Sequence, residues 1–296
     1  MGDRLFTNGT NKELTALDTR TGEVLWSHDL VEEFGAPSLL IRPTVKAGYG
    51  CSPIAFEGNV ICSVGGPGQS VMAFRQEDGK LAWRSGNFLT SQVPPILIDR
   101  EGETELVIVG GGTINGLDPS NGDILWSYPH DPGNDLNCST PLWGSDGILI
   151  VSSAYKAGSR ALHLSRTEGR TIPEEVWFTK RSRFMFLGAV RLGGYVYGMS
   201  GDFGPAFLTA VDVRTGKALW RKRGFSRASL LYADGKAVIL DEDGDLAIAR
   251  LSPEGVEVLA RTKVFETTSW SVPTLVGTTL YARDREKIVA IDLGAP

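Results

Sequence analysis

The feature that most limits what this chain can fold into is an internal repeat. Four segments align over 13 residues without a gap, each with a glycine four positions before a tryptophan: residues 14–26, 71–83, 114–126 and 208–220. Weaker copies occupy residues 161–177, 246–259 and 288–293. A recurrence every 40–50 residues or so is typical of propellers and other arrays, in which each repeat buries a face against its neighbour.

Each copy has the pattern of a strand, a turn and a second strand. Leu14 and Ala16 point to one face of the first strand and Thr15 to the other, and Gly22 closes the turn, where a positive φ favours glycine. A second hairpin pattern precedes most copies, as in residues 140–153 and 189–199. Two hairpins per repeat predict a four-stranded antiparallel blade, whose two faces are buried when blades pack around an axis.

The sequence therefore predicts an all-β fold: a β-propeller of about seven repeats, within a range of six to eight, as a single domain over residues 1–296. With 36 Gly and 15 Pro and no sustained helical stripe, we expect almost no helix. Residues 4–7 have the pattern of a second strand with no first strand before them, and the last copy stops before its turn. We therefore expect incomplete first and last blades and an N-terminally truncated chain.

Composition excludes several classes of partner. The formal net charge is −5, and residues 221–223 form the longest run of Lys and Arg, so the sequence offers no footprint for nucleic acid. No window approaches the roughly 18 apolar residues of a membrane-spanning helix, and residues 1–4 lack the pattern of a signal peptide. None of the three cysteines belongs to a Cys-x-x-Cys pair.

The pattern Ala-x-Asp-x-x-Thr-Gly-x-x-x-Trp, at residues 16–26 and again at 210–220, resembles the tryptophan-docking repeat of the pyrroloquinoline quinone (PQQ) propeller family. The resemblance covers essentially the whole chain. We expect the repeat tryptophans to lie on the last strand of each blade and to pack against the neighbouring blade. These structural docking residues are Trp26, Trp83, Trp126, Trp177 and Trp220.

The family contains two functional classes. Quinoprotein dehydrogenases hold PQQ and calcium in the central channel, whereas the PQQ-binding-like proteins of the bacterial envelope are non-catalytic. This chain is more similar to the second class, because it has no adjacent cysteines and, apart from residues 31–50, no long insertion between repeats. That similarity implies a periplasmic or envelope location, other envelope proteins as partners and no cofactor.

No catalytic or metal site emerges from the residues. The acidic turn 241–245 resembles a calcium loop but has Ser252 where such a loop needs Glu, so we interpret it as a solvated hairpin turn. His28, His130 and His163 fall in different blades, too far apart for a shared metal or a catalytic triad.

Ligand candidates lie at the starts of the innermost strands, which would line the channel: Tyr49, Ser52, Gln92, Asn137, Ser139, Arg183, Arg227, Ser269 and Trp270. Polar residues there are also expected of a water-filled channel. Arg183, Arg227 and Trp270 are the best cofactor-binding candidates, because Arg matches the carboxylates of PQQ and Trp offers a stacking face. Residues 31–50 form either a binding element or a loop over one mouth of the channel.

Three hypotheses follow for function. The leading one is a non-catalytic scaffold or binding protein of the bacterial cell envelope, which acts through protein–protein interaction or through small-molecule binding in the channel. The alternative is a PQQ- and calcium-dependent quinoprotein oxidoreductase of the alcohol or sugar dehydrogenase type. A third is a fragment without an independent function, since a missing blade exposes strand edges.

Overall fold

The computed structural model describes residues 2–38, 51–132, 137, 139–153, 157–184, 188–202 and 204–294. Within these residues the chain forms strands joined by turns and one short helix, α1 (Leu30–Phe34). It divides into two compact units: Met1–Cys138 with Leu164–Glu174, and Ser139–His163 with Glu175–Pro296. The expected scarcity of helix is confirmed, whereas a single domain over residues 1–296 stays a prediction.

The strands form seven sheets, numbered here in chain order, in each of which consecutive strands pair side by side. Sheet one contains β1 (Arg4–Asn8), β2 (Glu13–Asp18) and β3 (Val24–Asp29). Sheet two contains β4 (Ile54–Phe56), β5 (Asn59–Ser63), β6 (Val71–Arg75) and β7 (Leu81–Ser85). Sheet three contains β8 (Ile96–Arg100), β9 (Glu103–Val109), β10 (Thr113–Leu117) and β11 (Ile124–Pro129).

Sheet four contributes residues to both units and contains β12 (Leu142–Trp143), β13 (Ile148–Ser153), β14 (Gly158–Thr167) and β15 (Arg170–Thr179). Sheet five contains β16 (Val190–Leu192), β17 (Tyr195–Ser200), β18 (Phe207–Asp212) and β19 (Ala218–Lys222). Sheet six contains β20 (Ala228–Ala233), β21 (Lys236–Asp241), β22 (Asp245–Ser252) and β23 (Gly255–Lys263). Sheet seven contains β24 (Thr274–Val276), β25 (Thr279–Arg283) and β26 (Ile288–Asp292).

These seven sheets are the blades of a β-propeller, so the predicted fold class is confirmed. In the part of the chain that the structure describes, sheets two to six have four strands, and sheets one and seven have three. The expectation of incomplete first and last blades is therefore also confirmed.

A β-bulge lies beside four of the repeat tryptophans, namely Trp26, Trp83, Trp126 and Trp220. Ala16 of β2 faces Trp26 of β3, but the next residue, Leu17, faces Val24, so Leu25 is the extra residue on the outer strand. A bulge of this kind increases the local twist and re-aims the side chain next to it. The same shift occurs after Ala73, Gly116, Ala210 and Ile248.

Four of the five repeat tryptophans donate their indole N–H to a backbone carbonyl of the following sheet. In the first unit, Trp26 donates to Gln76 at 3.1 Å and Trp83 donates to Pro119 at 3.2 Å. In the second unit, Trp177 reaches Val213 at 2.7 Å and Trp220 reaches Ser252 at 2.9 Å. Each bond links the last strand of one sheet to the hairpin formed by the last two strands of the next.

Trp126 makes this link through a carboxylate. Its indole N–H donates to Glu105 Oε2 on β9 of its own sheet at 2.6 Å, and Glu105 in turn accepts from the Thr171 hydroxyl of sheet four. The opposing position in its sheet is Gly116, where a Cβ would lie 2.0 Å from the indole nitrogen. The ring thus occupies the space of a missing side chain.

The turn glycines are required by the rings as well as by the backbone. Gly216 has a φ of +67°, and a Cβ there would lie 2.6 Å from the Trp177 ring. Gly79 and Gly122 meet the rings of Trp26 and Trp83 in the same way. An indole face on a turn glycine is therefore the repeated contact between neighbouring sheets.

One lysine lies in the core of the first unit. Lys12 is 1% exposed, and its Nζ donates to the Val64 carbonyl oxygen at 2.6 Å. Burial lowers the pKa of Lys12 to about 7. Nearby Cys62 is also buried, and burial raises the pKa of its thiol, so this thiol stays neutral at neutral pH.

We predict that Gly216→Ala destabilises the chain more than Gly22→Ala. Both glycines have a left-handed backbone, but a Cβ on Gly22 meets nothing within 4 Å. Gly22→Ala should cost about 1 kcal/mol through backbone strain. Gly216→Ala should cost about 2–4 kcal/mol because its methyl group also displaces the Trp177 ring. Urea unfolding measures both, and equal losses would contradict a glycine–indole contact.

We predict that Lys12 makes the free energy of unfolding rise with pH. Its pKa is lowered to about 7 in the folded chain and is about 10.4 in an unfolded one, so between these values the unfolded state binds more protons. Stability relative to Lys12→Met should increase by on the order of 1–3 kcal/mol from pH 7 to pH 10. Urea unfolding across this range tests it, and a pH-independent difference would contradict burial of this amine.

Candidate functional site

The three best ligand candidates all belong to the second unit, on segments that lead into the innermost strands. Arg183 lies between β15 and β16, Arg227 directly precedes β20, and Trp270 lies between β23 and β24. Each faces the loop that follows the second strand of a sheet. Those loops supply two acidic partners, Asp202 after β17 and Glu242 after β21.

Arg183 forms an ion pair with Asp202, with 3.4 Å between Nη2 and Oδ1. Its backbone is fixed by the neighbouring strand, because its N–H donates to the Ser200 hydroxyl at 3.0 Å and its carbonyl accepts from Gly201 at 3.1 Å. The buried Nε of Arg183 has no hydrogen-bond partner within the described residues. The Arg183 guanidinium is therefore held through Nη2, and its Nε–H remains available as a donor.

Arg227 is more fully engaged. Its Nη1 donates to Glu242 Oε1 at 2.8 Å, and its Nη2 donates to the carbonyl oxygen of Asp202 at 2.8 Å. The two backbones also pair, since Glu242 N–H donates to the Arg227 carbonyl at 2.7 Å. The side-chain bond to Asp202 thus joins sheets five and six, whereas both bonds between Arg227 and Glu242 lie within sheet six.

Trp270 shares the same glutamate. Its indole N–H donates to Glu242 Oε2 at 3.0 Å, and the Arg285 guanidinium lies 5.3 Å from the ring centroid. Ser269 N–H donates to the Glu242 carbonyl at 3.1 Å. Trp270 as a whole remains 52% exposed. Glu242 is therefore the common acceptor of Arg227 and Trp270.

Sequence reasoning missed Asp202, and it placed Glu242 in a solvated turn. The turn is a hairpin, as expected, but its first residue, Asp241, is buried, and this burial raises its pKa. Asp241 accepts from the N–H groups of Asp243 and Asp245 at 3.2 and 3.0 Å, so it caps the turn. The available signal was positional, because an acidic residue ends the second strand or follows it in sheets five, six and seven.

The third of these acids is Asp284, which follows β25. Burial alone would raise its pKa, but hydrogen bonds from Lys287, Thr267 and Glu286 together lower it to about 2. The Thr267 hydroxyl donates to Asp284 Oδ2 at 2.7 Å. Asp284 therefore ties the segment entering sheet seven to the loop after β25.

Three other candidates bind backbone carbonyls in the structure. Asn137 Nδ2 donates to Gly110 at 2.6 Å, Ser139 Oγ donates to Phe184 at 2.6 Å, and Ser269 Oγ donates to Arg283 at 2.9 Å. Ser52 is exposed and Gln92 is half-buried, whereas Tyr49 lies outside the described residues. These polar side chains secure the loops that enter the inner strands.

The long connection over residues 31–50 begins with helix α1. Asp29 caps the helix by accepting from the N–H groups of Val31 and Glu32, and the Phe34 ring packs edge-on to Phe74 of sheet two. Gln69 Nε2 donates to the Phe34 carbonyl at 2.7 Å. Residues 39–50 lie outside the described residues, so the two interpretations of this loop stay predictions.

A cleft of about 390 Å³ adjoins Arg227. Its walls include Phe225 and Arg261, and the Arg261 guanidinium lies 2.5 Å from Asp245 and 3.5 Å from Asp241. Charges of both signs line the cleft and compensate each other. Among the described residues there is no group of three His, Cys, Asp or Glu side chains placed to hold a metal ion.

Comparisons with known proteins show the family. Residues 1–222 match the family model described as outer membrane protein assembly factor BamB. BamB of Yersinia pestis is 24% identical over 268 residues, which cover 86% of this chain and 63% of that protein. The chain thus spans less than two thirds of the length of this relative.

Two further comparisons concern the fold and the dehydrogenase class. The crystal structure of BamB from Moraxella catarrhalis superimposes with a TM-score of 0.68 at 19% identity, covering 97% of this chain and 78% of that one. The dehydrogenase subunit of the quinone alcohol dehydrogenase of Acetobacter aceti is 33% identical over 125 residues, or 36% of this chain and 16% of that protein.

No helix in the described ranges is long and apolar enough to cross a membrane. The match to the family model extends over most of the chain, whereas the similarity to the dehydrogenase subunit covers about a third of it. The sequence repeat, the seven sheets and the family match all indicate a β-propeller built from PQQ-type repeats. The chain belongs to the PQQ-repeat β-propeller family whose model is described as outer membrane protein assembly factor BamB.

Proposed function

We propose that this chain is a non-catalytic scaffold of the bacterial cell envelope, which binds other envelope proteins during outer-membrane protein assembly. The observation that carries the proposal is the match of residues 1–222 to the BamB family model. The relative from Yersinia pestis is named as an assembly factor, and its similarity covers 86% of this chain. A periplasmic location follows from the same relationship.

The ion pairs of Arg183 and Arg227 support a scaffold. PQQ carries three carboxylates, and a site for it needs cations whose charge is not already neutralised. Here Arg183 pairs with Asp202, and Arg227 pairs with Glu242, which also accepts from Trp270. A PQQ molecule at this place would meet two carboxylates of the protein. The residues present do not fit the cofactor, and we propose that the chain acts without PQQ or calcium.

The alternative, a quinoprotein oxidoreductase, has one observation in its favour, the 33% identity to the Acetobacter aceti subunit over 125 residues. That stretch is 16% of the dehydrogenase, too small a part to bring a cofactor site with it. Shared repeats account for such a match, because the docking pattern is common to both functional classes. The scaffold is therefore the function that the site supports best.

In a scaffold, the same charged groups would serve to hold neighbouring loops in fixed positions. Arg227 bonds both to the carboxylate of Glu242 and to the backbone of Asp202, so it fixes the inner loops of sheets five and six relative to each other. A rigid set of loops presents one surface to a partner and loses little conformational entropy on binding. Arg227 is thus a positioning residue for the loops around it.

We predict that the tagged chain, cross-linked in the envelope of its own organism, recovers outer-membrane assembly proteins. Mass spectrometry of the purified cross-links measures this, with a tag expressed alone as the control. Gly216→Ala should lower the recovery, because it weakens the contact between neighbouring sheets. Gly22→Ala is the matched control and should retain the recovery. Recovery of no envelope protein, together with PQQ-dependent dye reduction by the purified chain, would contradict the scaffold.

A further inference from the structure

A second cleft, of about 580 Å³, lies within the second unit where sheets four and five meet. One wall is the end of β15 and the segment that follows it, and the other is the turn between β18 and β19. Its volume falls in the range of roughly 300–1,000 Å³ typical of ligand sites. The lining residues that matter are Phe178, Arg181, Ser182, Gly216, Lys217 and Arg221.

The cleft is basic and has no acidic residue in its lining. Within the described part of the chain, neither Arg181, Lys217 nor Arg221 forms an ion pair. By contrast, Arg183 and Arg227 of the same unit both pair with carboxylates. The three unpaired cations are notable because the chain as a whole has a net charge of −5. Three uncompensated cations in one concave surface attract an anion.

Arg221 is held in position for this role. Its Nη2 donates to the Arg181 carbonyl oxygen at 2.6 Å, which fixes the plane of the guanidinium and leaves its other N–H groups for a ligand. The Arg181 backbone is fixed in turn, because its N–H donates to the Thr179 hydroxyl at 3.2 Å. A guanidinium held in this way gives up little side-chain entropy when it binds a carboxylate.

Ser182 provides the second and independent indication of a ligand. It is 1% exposed and lines the cleft, yet its hydroxyl has no hydrogen-bond partner among the residues that the structure describes. Its backbone is fixed, since the Ser159 hydroxyl donates to the Ser182 carbonyl at 2.8 Å. Buried hydroxyls are normally paired, so this one indicates a partner outside the chain.

The shape of the cleft favours a peptide over a lone ion. Phe178 is 42% exposed and offers an apolar wall, with the Arg160 guanidinium 5.1 Å from its ring centroid. Phe178 and Thr179 end β15, the last strand of sheet four, whose outer edge is open to pairing with an extended segment.

In the first unit, an acidic segment of the chain itself lies near the equivalent repeat positions. Lys80 and Arg84 occupy the repeat positions of Lys217 and Arg221. There His28 contacts the Gly79 carbonyl through Nε2 and the Glu33 carboxylate through Nδ1, both at 2.7 Å. The chain's own helix α1, with acidic Glu32 and Glu33, is thus linked through His28 to the turn that precedes Lys80.

We propose that the cleft of the second unit binds an acidic segment of a partner protein. The carboxylates of that segment pair with Arg181, Lys217 and Arg221. The Ser182 hydroxyl donates a hydrogen bond to an acceptor of the same segment. The proposal rests on the proposed function only in taking a protein as the ligand. It assigns to this chain a binding site separate from the loops around Arg227.

The test is calorimetric titration of the purified chain with a capped hexaglutamate peptide. We expect saturable binding that weakens with added salt, and that falls about tenfold or more in Arg181→Gln/Arg221→Gln. Arg84→Gln, at the repeat position equivalent to Arg221, is the matched control and should bind as the parent does. Lys217→Gln, a single exposed change, covers the case in which the double variant does not fold.

Ser182→Ala separates binding from structure. Removing a buried, unpaired hydroxyl should leave Tm unchanged or raise it, while peptide affinity falls about threefold to tenfold. Absence of peptide binding, equal binding by all variants, or equally tight binding of inorganic phosphate alone would overturn the proposal. Because the probe is a synthetic peptide, this result is independent of whether envelope partners are recovered by cross-linking.

Discussion

The contact on which this structure depends is the face of an indole ring on a turn glycine of the next sheet. It joins sheets whose own hydrogen bonds end at their outer strands, and it recurs for Trp26, Trp83 and Trp177. The indole N–H of each of these rings also donates to a backbone carbonyl of the next sheet. Each repeat is therefore stabilised mainly by its neighbour in the chain.

Charge has two different uses in the second unit. Around Arg227, each guanidinium faces a carboxylate, and the network joins loops of sheets five, six and seven. Around Arg221, three cations share a cleft without an acid. Compensated charge fixes loops and gives a ligand little to bind, whereas uncompensated charge at the surface attracts one. The charges around Arg227 therefore have a structural role, whereas those around Arg221 form the surface that we propose binds a partner.

The repeat predicted the blades, the turn glycines and the positions of the tryptophans, because these depend on residues within about 13 positions of each other. It did not predict the partners of Arg183 and Arg227, since Asp202 and Glu242 come from loops whose approach depends on how strands stack. The link from Trp126 through Glu105 to Thr171 was missed for the same reason, with 66 residues separating the last two. The open Ser182 hydroxyl has no sequence signal at all.

We propose that Arg227 ties the inner loops of sheets five and six together and that neither it nor Arg183 binds a cofactor. Calorimetric titration of the purified chain with PQQ, with and without calcium, tests it most directly when repeated on Arg227→Ala. We expect no saturable heat for either protein, and a loss of about 1–3 kcal/mol of stability in the variant, because Glu242 loses its cationic partner. Saturable binding at micromolar concentration or below, weakened by Arg227→Ala, would contradict it.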